Sequence, residues 1–216
     1  YYPLWTEKDE LAVYVDGLSS PDKYTLSEGA GEDKGVFKGT AAGLSYVALY
    51  PYSDRVRGGY KDDVLTMELP ARQAYQAGSV AEGAFPMIAR GDDTGGLSFK
   101  NLCSVLKLSL TGDVSVRAIS GVARDESMSV SGTASVRTDY ESIPELVMAD
   151  GGSPSVTLQC DGVQLFEDKA VDFFIVIPSG TYRGGFSVQI ETFSGTFTNE
   201  VEKDVTFGRS QFRYIA

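Results

Sequence analysis

The 216-residue chain has no histidine, two cysteines, one tryptophan and no long uninterrupted apolar run. Without imidazole, Ser-His-Asp and Cys-His nucleophile activation, histidine-ligated zinc and an imidazole proton shuttle are all excluded. With no run of about 18 or more apolar residues, no segment reads as a membrane-crossing helix. Positive charge is scarce as well: 19 Lys and Arg face 30 Asp and Glu, a formal net charge of -11. A chain of that sign repels polyanions at long range, so nucleic acid is not an expected partner.

Cofactor motifs are missing too. The glycines form neither GxxxxGK[ST] nor a strand-to-helix GxGxxG, so nothing cradles a phosphate. No DxDxDG calcium loop occurs, and the pairs Asp16-Gly17, Asp150-Gly151 and Asp161-Gly162 read as β-turns. No cofactor and no metal are expected. Cys103 and Cys160 lie too far apart for a CxxC redox motif or a zinc pair. A disulfide between them and two separate thiols remain equal alternatives, with Cys160 on the apolar side of the Val156–Cys160 alternation.

What the sequence does contain is alternation of period two, interrupted about every ten residues by Gly, Asp, Ser or Pro, which describes an antiparallel all-β protein. In Glu10 to Asp16, Leu11, Val13 and Val15 share one face, and Asp16-Gly17 supplies a turn. Leu44 to Tyr50 is apolar on both faces and stops at Pro51, as a central strand would. Val64 to Leu69 reads as a strand ending at Pro70, and Ala71 to Ala77 as one or two helical turns closed by Gly78. Met87 to Arg90 is another short strand.

Further along, Leu106, Leu108 and Leu110 share a face, as do Val171, Phe173, Ile175 and Ile177 before Pro178. Phe186, Val188 and Ile190 follow, then a hairpin turn at Ser194-Gly195, a face of Val201, Val205 and Phe207, and a last strand through Phe212 and Tyr214. Gly91 to Gly96 has no apolar side chain and three glycines, which makes it the best break in the chain. The expected organisation is two tandem β-sandwich domains, residues 1–94 and 97–216.

Catalysis without histidine would fall to paired carboxylates. Asp62-Asp63, Asp92-Asp93 and Asp125-Glu126 are adjacent acids in turn-like segments, and in so acidic a chain they read as solvated surface, so no acid or base is assigned. Ser20-Pro21-Asp22-Lys23 matches SxxK, but SDN and KTG companions are absent and the serine sits in a turn. Tyr1, Tyr2, Trp5, Tyr50, Tyr52 and Tyr60 cluster in the first half, where they could stack on sugar rings; packing is the favoured reading.

A series of blocks resembles the fimbrillin family of Bacteroides-type bacteria, the cell-surface subunits of type V pili and their adhesin relatives. Trp5 with Asp9-Glu10-Leu11-Ala12-Val13-Tyr14 is similar to the family's W..GD.I.VY opening, with Lys8 in place of the usual glycine. Tyr46 to Tyr52, Leu69 to Tyr75, Pro86 to Ala89, Leu97 to Gly112, Val156 to Leu165 and Phe173 to Ile190 follow in the family's order. The resemblance implies two transthyretin-like β-sandwich domains, export as a lipoprotein precursor, and assembly at the outer membrane surface by strand exchange between subunits. None of the matched blocks carries a catalytic residue.

The expectation is therefore a non-enzymatic fimbrial subunit or adhesin at the cell surface. Its partners would be other fimbrial subunits bound by β-strand addition, and a host or bacterial surface glycan or protein. Membrane association would come only through a lipid anchor of the precursor, whose signal is removed or omitted here. The alternative is a glycan-binding module of a surface nutrient-uptake system, suggested by the tyrosine-rich first half.

Overall fold

The computed structural model describes residues 4–53, 59–92, 96–139 and 143–215. Among them the chain forms strands and no helix. The first half contains β1 (Glu10–Val15), β2 (Asp22–Glu28), β3 (Val36–Lys38), β4 (Ser45–Tyr50), β5 (Tyr60–Lys61), β6 (Val64–Leu69), β7 (Arg72–Ala74) and β8 (Met87–Asp92). Then come β9 (Lys100–Asn101), β10 (Cys103–Leu110), β11 (Ser115–Ala123), β12 (Gly132–Arg137), β13 (Leu146–Met148) and β14 (Ser155–Gln164). The chain finishes with β15 (Val171–Pro178), β16 (Gly180–Tyr182), β17 (Phe186–Thr192), β18 (Thr196–Val201), β19 (Val205–Phe207) and β20 (Phe212–Ile215).

Two compact units emerge. The first comprises Tyr1–Met67, Pro86–Asn101 and Ser135–Glu145; the second comprises Glu68–Phe85, Leu102–Ala134 and Leu146–Ala216. They differ from consecutive pieces 1–94 and 97–216 in three segments: 68–85 joins the second unit, while 97–101 and 135–145 join the first. Backbone pairing is the physical reason: β7, from the first half of the chain, adds in parallel to β14, with Arg72 opposite Thr157, Gln73 opposite Leu158 and Ala74 opposite Gln159. That pairing also replaces the helical turns expected over Ala71 to Ala77. Gln73 favours the strand, because its amide is buried and bonds the main chain of Val176 from this extended segment.

The first unit is built on a six-stranded sheet in the order β3-β2-β1-β4-β8-β9. β1 is buried on both faces: Leu11, Val13 and Val15 join the aromatic core, while Ala12 and Tyr14 lie on the other face, where the Tyr14 ring packs 5.3 Å from Tyr60. Its end is set by Asp16 and Gly17, both at positive φ (50° and 76°), which turns the chain back toward β2. β4 runs between β1 and β8, the central position that its two apolar faces predict.

The second unit is a β-sandwich. One layer has the order β18-β17-β11-β14-β7 and the other β15-β10-β20. Ile119, Val156, Leu158, Phe186 and Val188 from the first layer meet Leu106, Leu108, Phe173, Ile175 and Ile177 from the second in one core. Each of those larger side chains contributes about 1.5 to 3 kcal/mol through burial. Cys160 continues the inward series Val156, Leu158 of β14, as the alternation predicts.

Candidate functional site

Trp5 is the hub of the first unit's aromatic cluster. Phe37, Phe99 and Tyr50 stand edge-on to its rings at 4.9, 5.5 and 5.7 Å. Asp9 is 5% exposed and closes the turn before β1: Oδ2 accepts from the Thr6 amide at 2.7 Å and Oδ1 from the Tyr50 hydroxyl at 2.8 Å. The Trp5–Asp9 block thus pins the entry of the chain to β4. Trp5 and Tyr50 are consumed by packing rather than presented to a sugar. Tyr60, 7% exposed, donates to Asp63 at 3.1 Å, and Lys23 lies 5.5 Å over the Tyr52 ring. Tyr1 and Tyr2 lie outside the described residues.

The adjacent acids have structural tasks. Asp62 and Asp63 sit at positive φ in the turn between β5 and β6, with Asp62 widely exposed. Asp125 accepts from both the hydroxyl and the amide of Ser127, which hold its carboxyl below the usual carboxylate range. Of Asp92-Asp93, Asp92 ends β8 and Asp93 lies outside the described residues. The lysine of the SxxK match, Lys23, is on β2 and bonds Glu10 across the ladder at 2.9 Å. Cys103 and Cys160 are both free and buried. Burial pushes the Cys103 thiol up and, with help from Asp161, the Cys160 thiol up to about 12, so neither is a ready nucleophile at neutral pH. Among the described residues, no cluster of three or more Cys, Asp or Glu side chains is placed to hold a metal ion.

Sheet edges are the remaining feature with binding chemistry, because an edge strand presents main-chain donors and acceptors to whatever comes beside it. In the first unit the large sheet ends on β3, of three residues, and β9, of two. In the second unit the five-stranded layer ends on β18 and β7, and the three-stranded layer on β15 and β20. β15 is long, and its edge is closed at Val176. Val176 donates its amide to Gln73 Oε1 and accepts from Gln73 Nε2, both at 2.9 Å, so one side-chain amide stands in for a neighbouring strand. β18 differs: all of its residues are exposed except the half-buried Val201.

Among the strands that sequence reasoning missed are β11 and β2. β11, at the centre of its layer, escapes an alternation search because its register shifts between Val116 and Ala118. Val116 is buried before that bulge and Ile119, Gly121 and Ala123 after it, so the inward phase changes midway. β2 escapes because it is mostly exposed.

No protein-family model matches the chain, and no curated protein does either. The structure is similar to the crystal structure of a "putative cell adhesion protein" from Bacteroides ovatus, with a TM-score of 0.58 and 10% sequence identity. The similarity covers 98% of this chain and 82% of that one. At such identity it establishes the fold that the two share, an all-β architecture of packed sheets.

Proposed function

We propose that this chain is a non-enzymatic cell-surface subunit, an adhesin or fimbrial subunit, that joins its neighbours by β-strand addition. The observation that carries the reading is a whole-chain likeness in fold to the Bacteroides ovatus protein, combined with sheets that end on uncovered strands. Strand addition suits such edges, since the incoming backbone satisfies the open N–H and C=O groups while its side chains fill gaps in the layer. The fimbrillin-like order of the sequence blocks supports the finer assignment to pilus subunits with transthyretin-like domains, exported as lipoproteins to the outer membrane surface.

The test is made on the precursor expressed and processed in a Bacteroides-type cell. Strand-linked polymers that survive mild detergent, or attachment of cells to a surface or to another bacterium, are expected. A processed product that stays monomeric and leaves cells non-adherent overturns the proposal. A glycan array on the same material addresses the nutrient-uptake alternative: saturable binding there, without polymers or adhesion, would replace the subunit reading.

A further inference from the structure

β18 has a hydrogen-bonding phase that can be read from its turn. The Thr192 amide donates to the Gly195 carbonyl at 2.9 Å, and the Thr192 hydroxyl binds the same residue, which closes the hairpin. From there Ile190 lies opposite Phe197, Val188 opposite Asn199 and Phe186 opposite Val201 without a register shift. Bonded and non-bonded pairs alternate along an antiparallel ladder. Phe197, Asn199 and Val201 therefore direct their main-chain groups to β17, and Thr196, Thr198 and Glu200 direct theirs out of the sheet.

That outward row lacks the usual protection. Natural edges are blunted by shortness, proline, lysine or a bulge. β18 has six residues, TFTNEV, with none of these devices, and its one charged side chain, Glu200, is paired with Arg124 of the same copy. Among the described residues the other edges run to two, three or four residues, apart from β15, which Gln73 closes at Val176. Phe197 adds a second oddity. It shares the core-side face with Ile190 and Val188, yet it is 58% exposed.

We infer that β18 pairs with β18 of a second copy of this chain, antiparallel about a two-fold axis at Thr198, to form a closed dimer with one continuous sheet. This contact does not rest on strand exchange, because each copy keeps all its own strands. The register follows from the outward row. Centred on Thr198, all three outward residues find outward mates: Thr198 meets Thr198, and Thr196 meets Glu200 twice. Moving the axis by one residue either way leaves one of the three without a mate on the strand. The chosen register places no like charges directly opposite, and Arg124 of the same copy already pairs with Glu200 and Glu202. Phe197 lies opposite Asn199 and diagonal to its own symmetry mate, a separation that aromatic side chains span. An exposed phenylalanine thereby gains an apolar neighbour.

Sedimentation equilibrium on the full chain, up to about 1 mM, a range that detects weak association, is expected to show dimers and no larger species. Thr198→Pro removes only an outward donor, so its melting temperature at low concentration should match the parent while association falls at least about tenfold, as losing ladder hydrogen bonds implies. Thr198→Lys should weaken the dimer severalfold by placing like charges across the axis. Under mild oxidation Thr198→Cys should cross-link two copies and Asn199→Cys should not, since only the former brings its Cα atoms within disulfide reach. A monomer at every concentration, undiminished association of Thr198→Lys, or cross-linking at 199 as fast as at 198 overturns the inference. If Thr198→Pro fails to fold, the lysine and cysteine variants decide it. Open-ended polymers would point instead to strand exchange.

Discussion

β15 and β18 both end a sheet of the second unit, yet one is largely buried and the other exposed. β15 buries its last six residues, FFIVIP, and the Gln73 amide occupies the main chain of Val176. β18 exposes its first five, TFTNE. A strand can be this apolar at a sheet end only if its backbone groups are satisfied without water, because each buried unpaired group costs about 1 to 3 kcal/mol. At Val176 the amide solves that problem with two atoms. In β18, threonine, asparagine and glutamate keep the exposed strand soluble, and its outward hydrogen bonds stay available to a partner.

The sharpest way to break this contrast is a matched pair of substitutions. Phe173→Ala in β15 empties a fully buried site and is expected to cost about 3 to 5 kcal/mol. Phe197→Ala in β18 should change stability by no more than about 0.5 kcal/mol at concentrations where the chain is monomeric. Urea unfolding of both variants measures the difference. Equal losses would mean that β18 is packed in solution and the contrast is false.

Next in size is the amide itself. Gln73→Ala leaves the Val176 N–H and C=O without their partner, and a loss of about 2 to 4 kcal/mol is expected from two orphaned groups. Gln73→Glu keeps an acceptor but loses the donor and buries a charge, so it should cost at least as much at neutral pH. The readouts are the urea midpoint and hydrogen exchange at the Val176 amide, which should quicken in both variants. An unchanged exchange rate would show that something other than Gln73 closes this edge.

Much of the contrast was invisible in the sequence for an identifiable reason. The alternation of Val171, Phe173, Ile175 and Ile177, and the hairpin at Ser194-Gly195, are local signals, and the structure places β15 and the β17–β18 turn where they indicate. What fills an edge is not local. Gln73 lies far from Val176 in the chain, and nothing in ARQAYQA announces that its glutamine will serve as a strand. Ala, Arg and Gln are good helix formers, so local preference there favours helical turns, and tertiary pairing overrides it. The tyrosine cluster is legible only in part: composition locates it and favours packing, but which ring meets Trp5 depends on partners such as Phe37 and Phe99.

The smallest effect comes from the ion pair at the start of β15. Asp172 lies 2.6 Å from Lys107 of β10 and also accepts from the Ser109 hydroxyl. Lys107 is held in turn between the Phe174 and Tyr214 rings, at 5.4 and 5.9 Å. The Lys107 hydrogen bond first, and then that of Ser109, lowers the Asp172 carboxyl below its ordinary range. A carboxyl that is more acidic folded than unfolded stabilises the fold fully above its unfolded pKa of about 3.9, and that contribution disappears as pH falls through the lower folded value. With the Asp172 side chain 37% exposed, solvent screening limits the gain to about 0.5 to 1 kcal/mol. Asp172→Asn should therefore be less stable than the parent by that amount at pH 7, with the gap closing as both are titrated to about pH 2. A constant gap would mean that the asparagine costs packing and that the ion pair adds nothing to the β15 edge.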